Sequence, residues 1–456
     1  MKRRDFLKLG SGTLAAAALA GVGISRAEEA PSRQNNMTFR KDRKTGDDIS
    51  LLGYGCMRWP VLQGDGGSKV VDQEKVNELT DIAIRNGVNY FDTAPVYLRG
   101  QSEKATGIAL ARHPRDKWKI ATKLSNFQDW SREASMKMYE DSFRNLQVDV
   151  IDYYLLHSLG DDMEDFQKRY LDNGMLDFLL KERERGRIVH LGFSFHGDRK
   201  MFDRLLETHR TYHWDFIQIQ MNYMDWDYAG TGNCNARHMY ERLTAEGIPV
   251  IIMEPLLGGR LAKVSDSVEE KLRNRAPKES PASWAFRFTG SWENVLCVLS
   301  GMTYREHLDE NLKTFSPMKV LNDGEKAFLS RIAELLHYYP TVPCTACDYC
   351  MPCPYGVDIP GNFRHYNKCV QEGFLDIAPK EGEESAADFS KDMREFRTAR
   401  RKYLISYQRD VLREARANKC ISCGQCKQHC PQNIDIPHEL RKIDLYVEKL
   451  LRSIEG

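Results

Sequence analysis

The chain has 456 residues, which is too long for one average domain and predicts two or three. Its 41% hydrophobic and 29% charged residues are typical of a soluble globular protein and exclude a disordered or fibrous one. Lys plus Arg (66) nearly equals Asp plus Glu (65), so the net charge of +1 does not indicate a nucleic-acid partner. Eight of the 12 Cys lie in two short runs, 344–353 and 420–430, which indicates metal or cluster ligands rather than scattered disulfides.

Residues 1–27 have the pattern of a secretory signal. A basic start is followed by a short apolar stretch over residues 13–24 and by a small-residue cleavage site that ends at Ala27. The pair Arg3-Arg4 before Phe-Leu-Lys resembles a twin-arginine signal, which implies a periplasmic or otherwise extracytoplasmic protein that is loaded with cofactor before export. The apolar stretch is shorter than the roughly 20 residues that span a bilayer, so no transmembrane segment is expected after cleavage. An uncleaved N-terminal anchor is the alternative.

From residue 37 to residue 317, short apolar runs alternate with amphipathic helical patterns. The runs are continuous rather than alternating, as in strands that are covered on both faces. Eight such strands predict a (β/α)8 barrel over residues 37–320, because the alternative of two doubly wound halves lacks its G-x-G-x-x-G fingerprint. A polar hairpin at 41–48 is expected to close the barrel floor, and no internal repeat is expected beyond the strand–helix alternation. The predicted strands are 50–54, 88–92, 119–122, 150–155, 188–193, 216–220, 250–253 and 295–299.

Four polar residues fall at or just after the ends of successive strands: Asp92, Tyr97, Lys123 and His157. In a (β/α)8 barrel, catalytic groups lie at the carboxyl ends of the strands. A single polar residue in such a place is usually a cap or a turn former. The set of four, in this order and spacing, therefore carries the prediction of an active site.

These residues stand within motifs that resemble the aldo-keto reductases from about residue 38 to residue 317. The matching motifs are Asn89-Tyr90-Phe91-Asp92-Thr93-Ala94 with Tyr97, Gln101-Ser102-Glu103, Thr122-Lys123, Leu155-Leu156-His157, Gly192-Phe193-Ser194, Gln218, Glu254-Pro255-Leu256 and Glu310-Asn311. The resemblance implies a nicotinamide-dependent oxidoreductase in which Asp92, Tyr97, Lys123 and His157 form the catalytic tetrad.

The chemistry of the tetrad can be argued from its side chains. Carbonyl reduction needs a proton donor, and a phenol with an ordinary pKa near 10 is poorly matched to neutral pH. The ammonium of Lys123 is expected to lower the pKa of Tyr97, while Asp92 keeps Lys123 charged. His157 is expected to hydrogen-bond the substrate oxygen. Tyr97 is then the proton donor in reduction or the base in oxidation.

The resemblance also implies where the nicotinamide cofactor binds. The sequence departs from the family pattern at two of these positions. Phe195 stands where the family often has Asn, and His307 stands where many members have Arg, with Arg305 as the available substitute. The family expectation is NADP(H) rather than NAD(H). The implied contacts are Ser194 and Gln218 for the nicotinamide, Leu257, Gly258 and Arg260 for the pyrophosphate, and Gly301, Thr303, Glu310 and Asn311 for the adenosine end.

The second cysteine run, Cys420-x2-Cys423-x2-Cys426-x3-Cys430-Pro431, has the bacterial ferredoxin spacing for [4Fe–4S] clusters. The first run, Cys344-x2-Cys347-x2-Cys350-x2-Cys353-Pro354, is one residue shorter before its last Cys. Zinc is the alternative, but zinc sites usually come as separated Cys pairs. Residues 321–340 read as a connecting helix, and residues 341–456 resemble the helical ferredoxins. The implied clusters have crossed ligands: Cys344, Cys347, Cys350 and Cys430 for one, and Cys420, Cys423, Cys426 and Cys353 for the other.

Together these patterns predict an exported iron–sulfur aldo-keto reductase that acts on a small carbonyl or alcohol. Nicotinamide transfers two electrons as a hydride whereas clusters transfer one at a time. Either a flavoprotein or another electron carrier is the redox partner, or the clusters serve another role. The alternative is an electron-transfer or partner-binding subunit with a catalytically silent barrel.

Overall fold

Eight parallel strands form a closed barrel, which confirms the predicted (β/α)8 fold. The computed structural model describes residues 36–455 apart from 65–67, 161, 231, 339–340, 373 and 376–388, so the predicted signal at 1–27 lies outside the described residues. The strands are β1 (Phe39–Lys41), β2 (Asp48–Ser50), β3 (Leu52–Gly55), β4 (Val61–Gln63), β5 (Lys69–Val71), β6 (Tyr90–Asp92), β7 (Lys119–Leu124), β8 (Ile151–Leu159), β9 (Ile188–Phe195), β10 (Phe216–Gln220), β11 (Val250–Met253) and β12 (Val295–Ser300). The barrel order is β3-β6-β7-β8-β9-β10-β11-β12, and β12 pairs with β3.

The barrel strands are short and apolar because both of their faces are covered. All five residues of β10 are buried, and its register with β11 pairs Ile217 with Val250. The barrel interior is filled by large side chains such as Tyr90, Tyr153 and Phe216. At Gly53, a side-chain carbon would lie 2.5 Å from the sulfur of Cys297, so only glycine fits there. The barrel is therefore a packed core with its chemistry at one end.

The antiparallel pair β1 and β2 confirms the predicted hairpin. Its turn residue Asp42 is buried and accepts hydrogen bonds from the backbone N–H of Lys44 (2.8 Å) and from the hydroxyl of Tyr153 (2.5 Å). The same carboxylate lies 3.0 Å from Nε2 of His190. These bonds join the hairpin to β8 and β9, so it covers the amino end of the barrel.

Helices cover the outside of the barrel and build the rest of the chain. Capping residues account for several of their starts: Asp72 accepts from the N–H of Lys75 at 3.1 Å, and Ser131 accepts from the N–H of Ala134 at 3.2 Å. The helices are α1 (Gln73–Arg85), α2 (Ser102–Leu110), α3 (Arg132–Leu146), α4 (Met163–Phe166), α5 (Met175–Glu184), α6 (Arg199–Glu207), α7 (His209–Tyr212), α8 (Asp225–Tyr228), α9 (Ala236–Ala245), α10 (Asp266–Arg275), α11 (Pro281–Gly290), α12 (Arg305–Phe315), α13 (Asp323–Tyr338), α14 (Ile359–Gln371), α15 (Phe389–Asp410) and α16 (Ile436–Glu455). None of the helices in the described ranges has both the length and the apolar character that a bilayer crossing requires.

The C-terminal region has a hydrophobic core of its own. Helices α14, α15 and α16 enclose Phe363, Tyr403 and Ile443, all fully buried. Helix α13, which the sequence predicts as a connection, packs Leu329 and Ile332 into the barrel core. The C-terminal helices are therefore packed around a core that is distinct from that of the barrel.

The C-terminal region also contains an internal repeat, so the expectation of no further repeat is wrong. The sequence CPYGVDIP at 353–360 leads into α14, and CPQNIDIP at 430–437 leads into α16. The loops before them share their backbone turns, with positive φ at Ala346 (52°) and Ser422 (60°) and again at Asp348 (64°) and Gly424 (76°). The spacing hides the repeat because the last interval of the first cysteine run is one residue shorter.

Candidate active site and iron–sulfur centre

A cavity of about 490 Å³ lies at the carboxyl end of the barrel strands. Asp92, Tyr97, Lys123 and His157, the four residues of the predicted tetrad, all line it. They arrive from the end of β6, the loop after it, β7 and β8. The structure thus brings the whole predicted set together in one cavity.

Asp92 and Lys123 form a buried ion pair. The Lys123 ammonium lies 2.6 Å from a carboxylate oxygen of Asp92 and donates a second bond of 2.8 Å to the carbonyl of Thr93. Only 1% of the Lys123 side chain and 5% of the Asp92 side chain are exposed. The same ammonium lies 4.9 Å from the ring centre of Tyr97, a cation–π distance. Asp92 therefore holds a positive charge against the face of the phenol.

Tyr97 is held in a tight turn. The two residues after it, Leu98 and Arg99, have left-handed φ values of 51° and 55°. Burial raises the pKa of Tyr97 well above 10, and the nearby Tyr349 and Asp92 add to the shift. This direction is opposite to the lowered pKa predicted for Tyr97, because the desolvation of the phenolate is its largest cause. The phenol therefore stays protonated at neutral pH.

His157 lies at an irregularity in the pairing of β8. The pairing of β8 with β9 shifts register between Leu156 and Leu159, and the N–H of Ser158 donates to the Ser194 hydroxyl at 2.8 Å. Nδ1 of His157 lies 2.5 Å from the Ser125 hydroxyl. Burial, followed by the charge of Lys123, lowers the pKa of His157 well below 6.5. The ring is therefore neutral at pH 7, and Nε2 is left to face other partners.

Most of the residues predicted to bind the dinucleotide line the same cavity. The Gln218 carboxamide is informative, because its buried oxygen has no hydrogen-bond partner within the described ranges. A buried acceptor without a partner is costly, and an amide N–H of a ligand would satisfy it. The residues of this set that line the cavity are Ser194, Gln218, Gly258, Gly301, Thr303, Glu310 and Asn311.

Two residues of the predicted set do not reach the cavity. The Leu257 side chain is buried in the barrel core, and the Arg260 guanidinium donates to the Thr341 hydroxyl at 2.5 Å. The loop turns at Gly258 (φ 67°), which directs Arg260 towards the C-terminal region. Arg305, the predicted substitute for His307, instead pairs with Asp309 on its own helix.

Arg58, His196 and Tyr349 are among the cavity residues that sequence reasoning missed. Arg58 follows β3 closely and donates to the carbonyl of Thr345 at 2.6 Å. His196 lies beside Phe195, which packs away from the cavity against Phe202, and burial lowers the pKa of His196 to about 4. Tyr349 lies between two cysteines of the first run. A basic or aromatic residue next to a functional motif was the available signal in each case.

The structure brings the cysteines of the two runs near each other. Cys344 and Cys347 lie near Cys430, and Cys426 lies near Cys420, Cys423 and Cys353, whereas Cys350 lies near both Cys430 and Cys426. The two crossed sets that the resemblance implies stay a prediction. We call the first set, which borders the barrel cavity through Cys347, the proximal set, and the second the distal set.

The surroundings of both sets suit iron–sulfur clusters. The N–H groups of Ala346 and Ser422 point at the sulfurs of Cys344 and Cys420 at 3.4 Å, which stabilises thiolate ligands. The four distal cysteines border a cavity of about 100 Å³. Within the described ranges, no three Cys, His, Asp or Glu side chains converge closely enough to hold a single metal ion. Cys350 borders the same cavity, so the thiols there surround a space, as the ligands of a cubane cluster would.

The C-terminal region forms the roof of the barrel cavity. Gln432 and Gln220 exchange two amide hydrogen bonds of 2.8 and 3.1 Å, both buried. Asn433 donates to the carbonyl of His196 at 3.1 Å. The residues that this region adds to the cavity wall are Thr345, Cys347, Tyr349, Pro431 and Gln432. The tetrad and Cys347, a predicted cluster ligand, thus line the same cavity.

This fold and site define a barrel oxidoreductase with an attached iron–sulfur domain. The family model described as "Aldo/keto reductase family" matches residues 51–327, more than half of the chain, and a "4Fe-4S dicluster domain" model matches residues 343–434. The chain belongs to the aldo/keto reductase family.

Curated relatives and solved structures agree with this assignment. A probable aldo-keto reductase of Glycine max is 29% identical over 157 residues, which are 33% of this chain and 42% of that protein. This chain thus spans less than half the length of that relative. The L-galactose dehydrogenase of Arabidopsis thaliana is 24% identical over 310 residues, covering 64% of this chain and 92% of that protein.

Two solved structures show the likeness in fold. The holo form of an aldo-keto reductase from Bacillus halodurans has a TM-score of 0.52 at 20% identity and covers 65% of this chain and 96% of that one. An aldo-keto reductase from Klebsiella pneumoniae in complex with NADPH has a TM-score of 0.51 at 21% identity and the same coverage.

Crossed cluster ligands, which the resemblance implies, predict a pattern of non-additive iron loss. Cys353→Ser and Cys420→Ser should each halve the iron content, and the double variant should lose no more than either, because both ligate one cluster. Cys353→Ser with Cys344→Ser should lose nearly all the iron. Iron and sulfide assays on purified protein check this, with Cys369→Ser as the control that keeps both clusters. The reverse pattern would mean that each run ligates its own cluster.

Proposed function

We propose that the protein interconverts a small carbonyl compound and its alcohol with a nicotinamide cofactor. The observation that carries the proposal is the meeting of the Asp92–Lys123 pair, Tyr97 and His157 with the unpartnered Gln218 oxygen in one cavity. In this proposal the carboxamide of the nicotinamide donates an N–H to the Gln218 oxygen, and the cofactor ring lies beside the proton donor.

When bound, the nicotinamide supplies the hydride. The chain supplies the proton and the geometry: Tyr97 donates its phenolic proton to the carbonyl oxygen, and the neutral His157 donates a hydrogen bond to the same oxygen. The Lys123 charge, held by Asp92, stabilises the phenolate that forms as the proton leaves. Ser194 and Gln218 orient the cofactor.

NADP(H) is the preferred cofactor in this proposal. Arg58 and His307 line the cavity and offer positive or protonatable groups to phosphates. The Klebsiella structure with NADPH supports the same choice. Arg305 contributes less than the sequence predicts, because Asp309 neutralises it.

Two [4Fe–4S] clusters, held by the proximal and distal sets, are proposed to carry single electrons. The proximal set borders the active site through Cys347, whereas Cys423 of the distal set is exposed. The distal set is therefore where a flavoprotein or another electron carrier would exchange electrons. Such a partner would also combine single electrons from the clusters into a hydride equivalent, or divide a hydride equivalent into single electrons.

Dinucleotide binding tests the proposal. The cluster-loaded protein is expected to bind NADPH more tightly than NADH in a fluorescence titration and to oxidise NADPH with 4-nitrobenzaldehyde as a probe carbonyl. Gln218→Leu should weaken NADPH binding about tenfold or more, whereas Gln63→Leu on the exposed strand β4 should not. If the protein binds neither dinucleotide, the proposal fails and the barrel serves electron transfer or partner binding.

We also propose that the protein is exported through its twin arginines. Replacing both Arg3 and Arg4 with Lys is expected to leave the protein in the cytoplasm, because the export signal is read from this pair. Cell fractionation of the natural host, with Lys8→Arg as the matched control, measures the outcome. Unchanged export of the double variant would contradict the proposal.

A further inference from the structure

One residue of the cluster loops reaches the tetrad. Tyr349 stands between Cys347 and Cys350, yet its ring faces the barrel cavity, 6.4 Å from the ring of His157 and 6.5 Å from that of Phe127. The His157 contact is edge-on, as is the contact of His157 with Tyr97 at 5.8 Å. The rings of Tyr97, Phe127 and Tyr349 thus surround the ring of His157.

Tyr349 lies close both to Tyr97 in the active site and to Cys347 in the cluster loop. Its hydroxyl interacts with the hydroxyl of Tyr97, close enough for each phenol to affect the other. Its backbone N–H lies close to the thiol of Cys347, two residues before it in the chain. A single residue therefore lies beside both a predicted cluster ligand and the predicted proton donor. Hydrogen bonds to the sulfurs are among the features that set the reduction potential of such clusters.

The internal repeat provides a comparison within the same chain. The distal loop has Gln425 at the position of Tyr349 and Ile421 at that of Thr345, and both distal residues are exposed to solvent. A cluster loop with this backbone does not need an aromatic residue at that place. The tyrosine is therefore specific to the loop that meets the barrel, which indicates a role in the cavity rather than in cluster ligation.

We propose that Tyr349 is a positioning residue that couples the proximal cluster to the active site, by holding Cys347 through its backbone and Tyr97 through its hydroxyl. The coupling works in both directions, because a change at one site that alters the shared contact alters the other by the same free energy. The substrate oxygen that enters between Tyr97 and His157 also meets the hydroxyl of Tyr349. Its role in turnover rests on the proposed function, but its coupling to the cluster does not.

The test is a double-mutant cycle on the full, cluster-loaded chain. Tyr97→Phe is expected to shift the electron paramagnetic resonance spectrum and the midpoint potential of one reduced cluster. The same substitution made in a Tyr349→Phe background is expected to leave them unchanged, because the connecting hydroxyl is gone. Tyr355→Phe, beside the distal set, is the matched control and should preserve the full effect of Tyr97→Phe.

A second variant controls for the case in which substitution of Tyr349 prevents the cluster loop from assembling. Tyr349→Gln introduces the residue that the distal loop already has at this position, and iron assays establish that both clusters are retained. With NADPH and 4-nitrobenzaldehyde, both Tyr349 variants should lower kcat/KM about tenfold while the Kd for NADPH stays constant.

Each outcome of the cycle either supports or refutes the coupling between Tyr97 and the proximal cluster. If Tyr97→Phe shifts the cluster signal equally with and without Tyr349, or does not shift it at all, the coupling is refuted. If the unsubstituted protein binds no dinucleotide, the proposed function fails, and the spectroscopic cycle still decides the role of Tyr349.

Discussion

Tyr97→Phe is expected to lower kcat for the reduction of 4-nitrobenzaldehyde by about 10²–10⁴-fold, the usual loss when a general acid is removed. The substitution keeps the ring against Lys123 and removes only the proton that the carbonyl oxygen needs. Because the phenol is not among the predicted dinucleotide contacts, the Kd for NADPH should change little. Steady-state kinetics and fluorescence titration measure the two effects separately.

Tyr212→Phe is the matched control for this experiment. Tyr212 lies in α7, outside the cavity, and its loss of a hydroxyl should leave kcat within about twofold. If Tyr97→Phe kept a third or more of the activity, another group would have to be the proton donor.

Asp92→Asn is expected to lower the free energy of unfolding of the barrel by about 3–5 kcal/mol, because it leaves the buried Lys123 ammonium without its counter-charge. Urea denaturation followed by circular dichroism measures this loss. The double variant Asp92→Asn with Lys123→Met should recover much of the stability, since it removes the unpaired charge as well. Activity should not return with it, which separates the structural role of the pair from the catalytic one.

An exposed ion pair provides the comparison. Lys137 and Asp141 also lie 2.6 Å apart, but 76% of the Lys137 side chain is exposed. Asp141→Asn should therefore cost no more than about 1 kcal/mol. Equal losses for Asp92→Asn and Asp141→Asn would contradict the argument from burial.

The barrel was predictable because its signals are local. The strands at 216–220 and 250–253 coincide with β10 and β11, and α1 and α3 begin directly after the capping residues Asp72 and Ser131. β8 runs to Leu159, beyond the predicted end at residue 155, because the register shift allows pairing to resume after His157. Strand periodicity carries no information about such a shift.

The tetrad could be placed from the sequence, but its electrostatics could not. Strand ends meet at one edge of a barrel, so Asp92, Lys123 and His157 had to lie near each other. The direction of the pKa shift of Tyr97 depends instead on how completely the side chain is buried. That depends on the roof over the cavity, which comes from a distant part of the chain.

The cysteine spacing by itself determined the kind of centre, since close runs followed by Pro suit cubane ligands. The strand pattern by itself determined the barrel, and the strand-end residues determined where its chemistry lies. Only the tertiary structure decided that Cys347 and Tyr349 enter the barrel cavity and that Arg260 turns away from it. Residue spacing reports contacts within a loop or a helix turn, whereas the packing of two distinct hydrophobic cores against each other depends on the shapes of their surfaces.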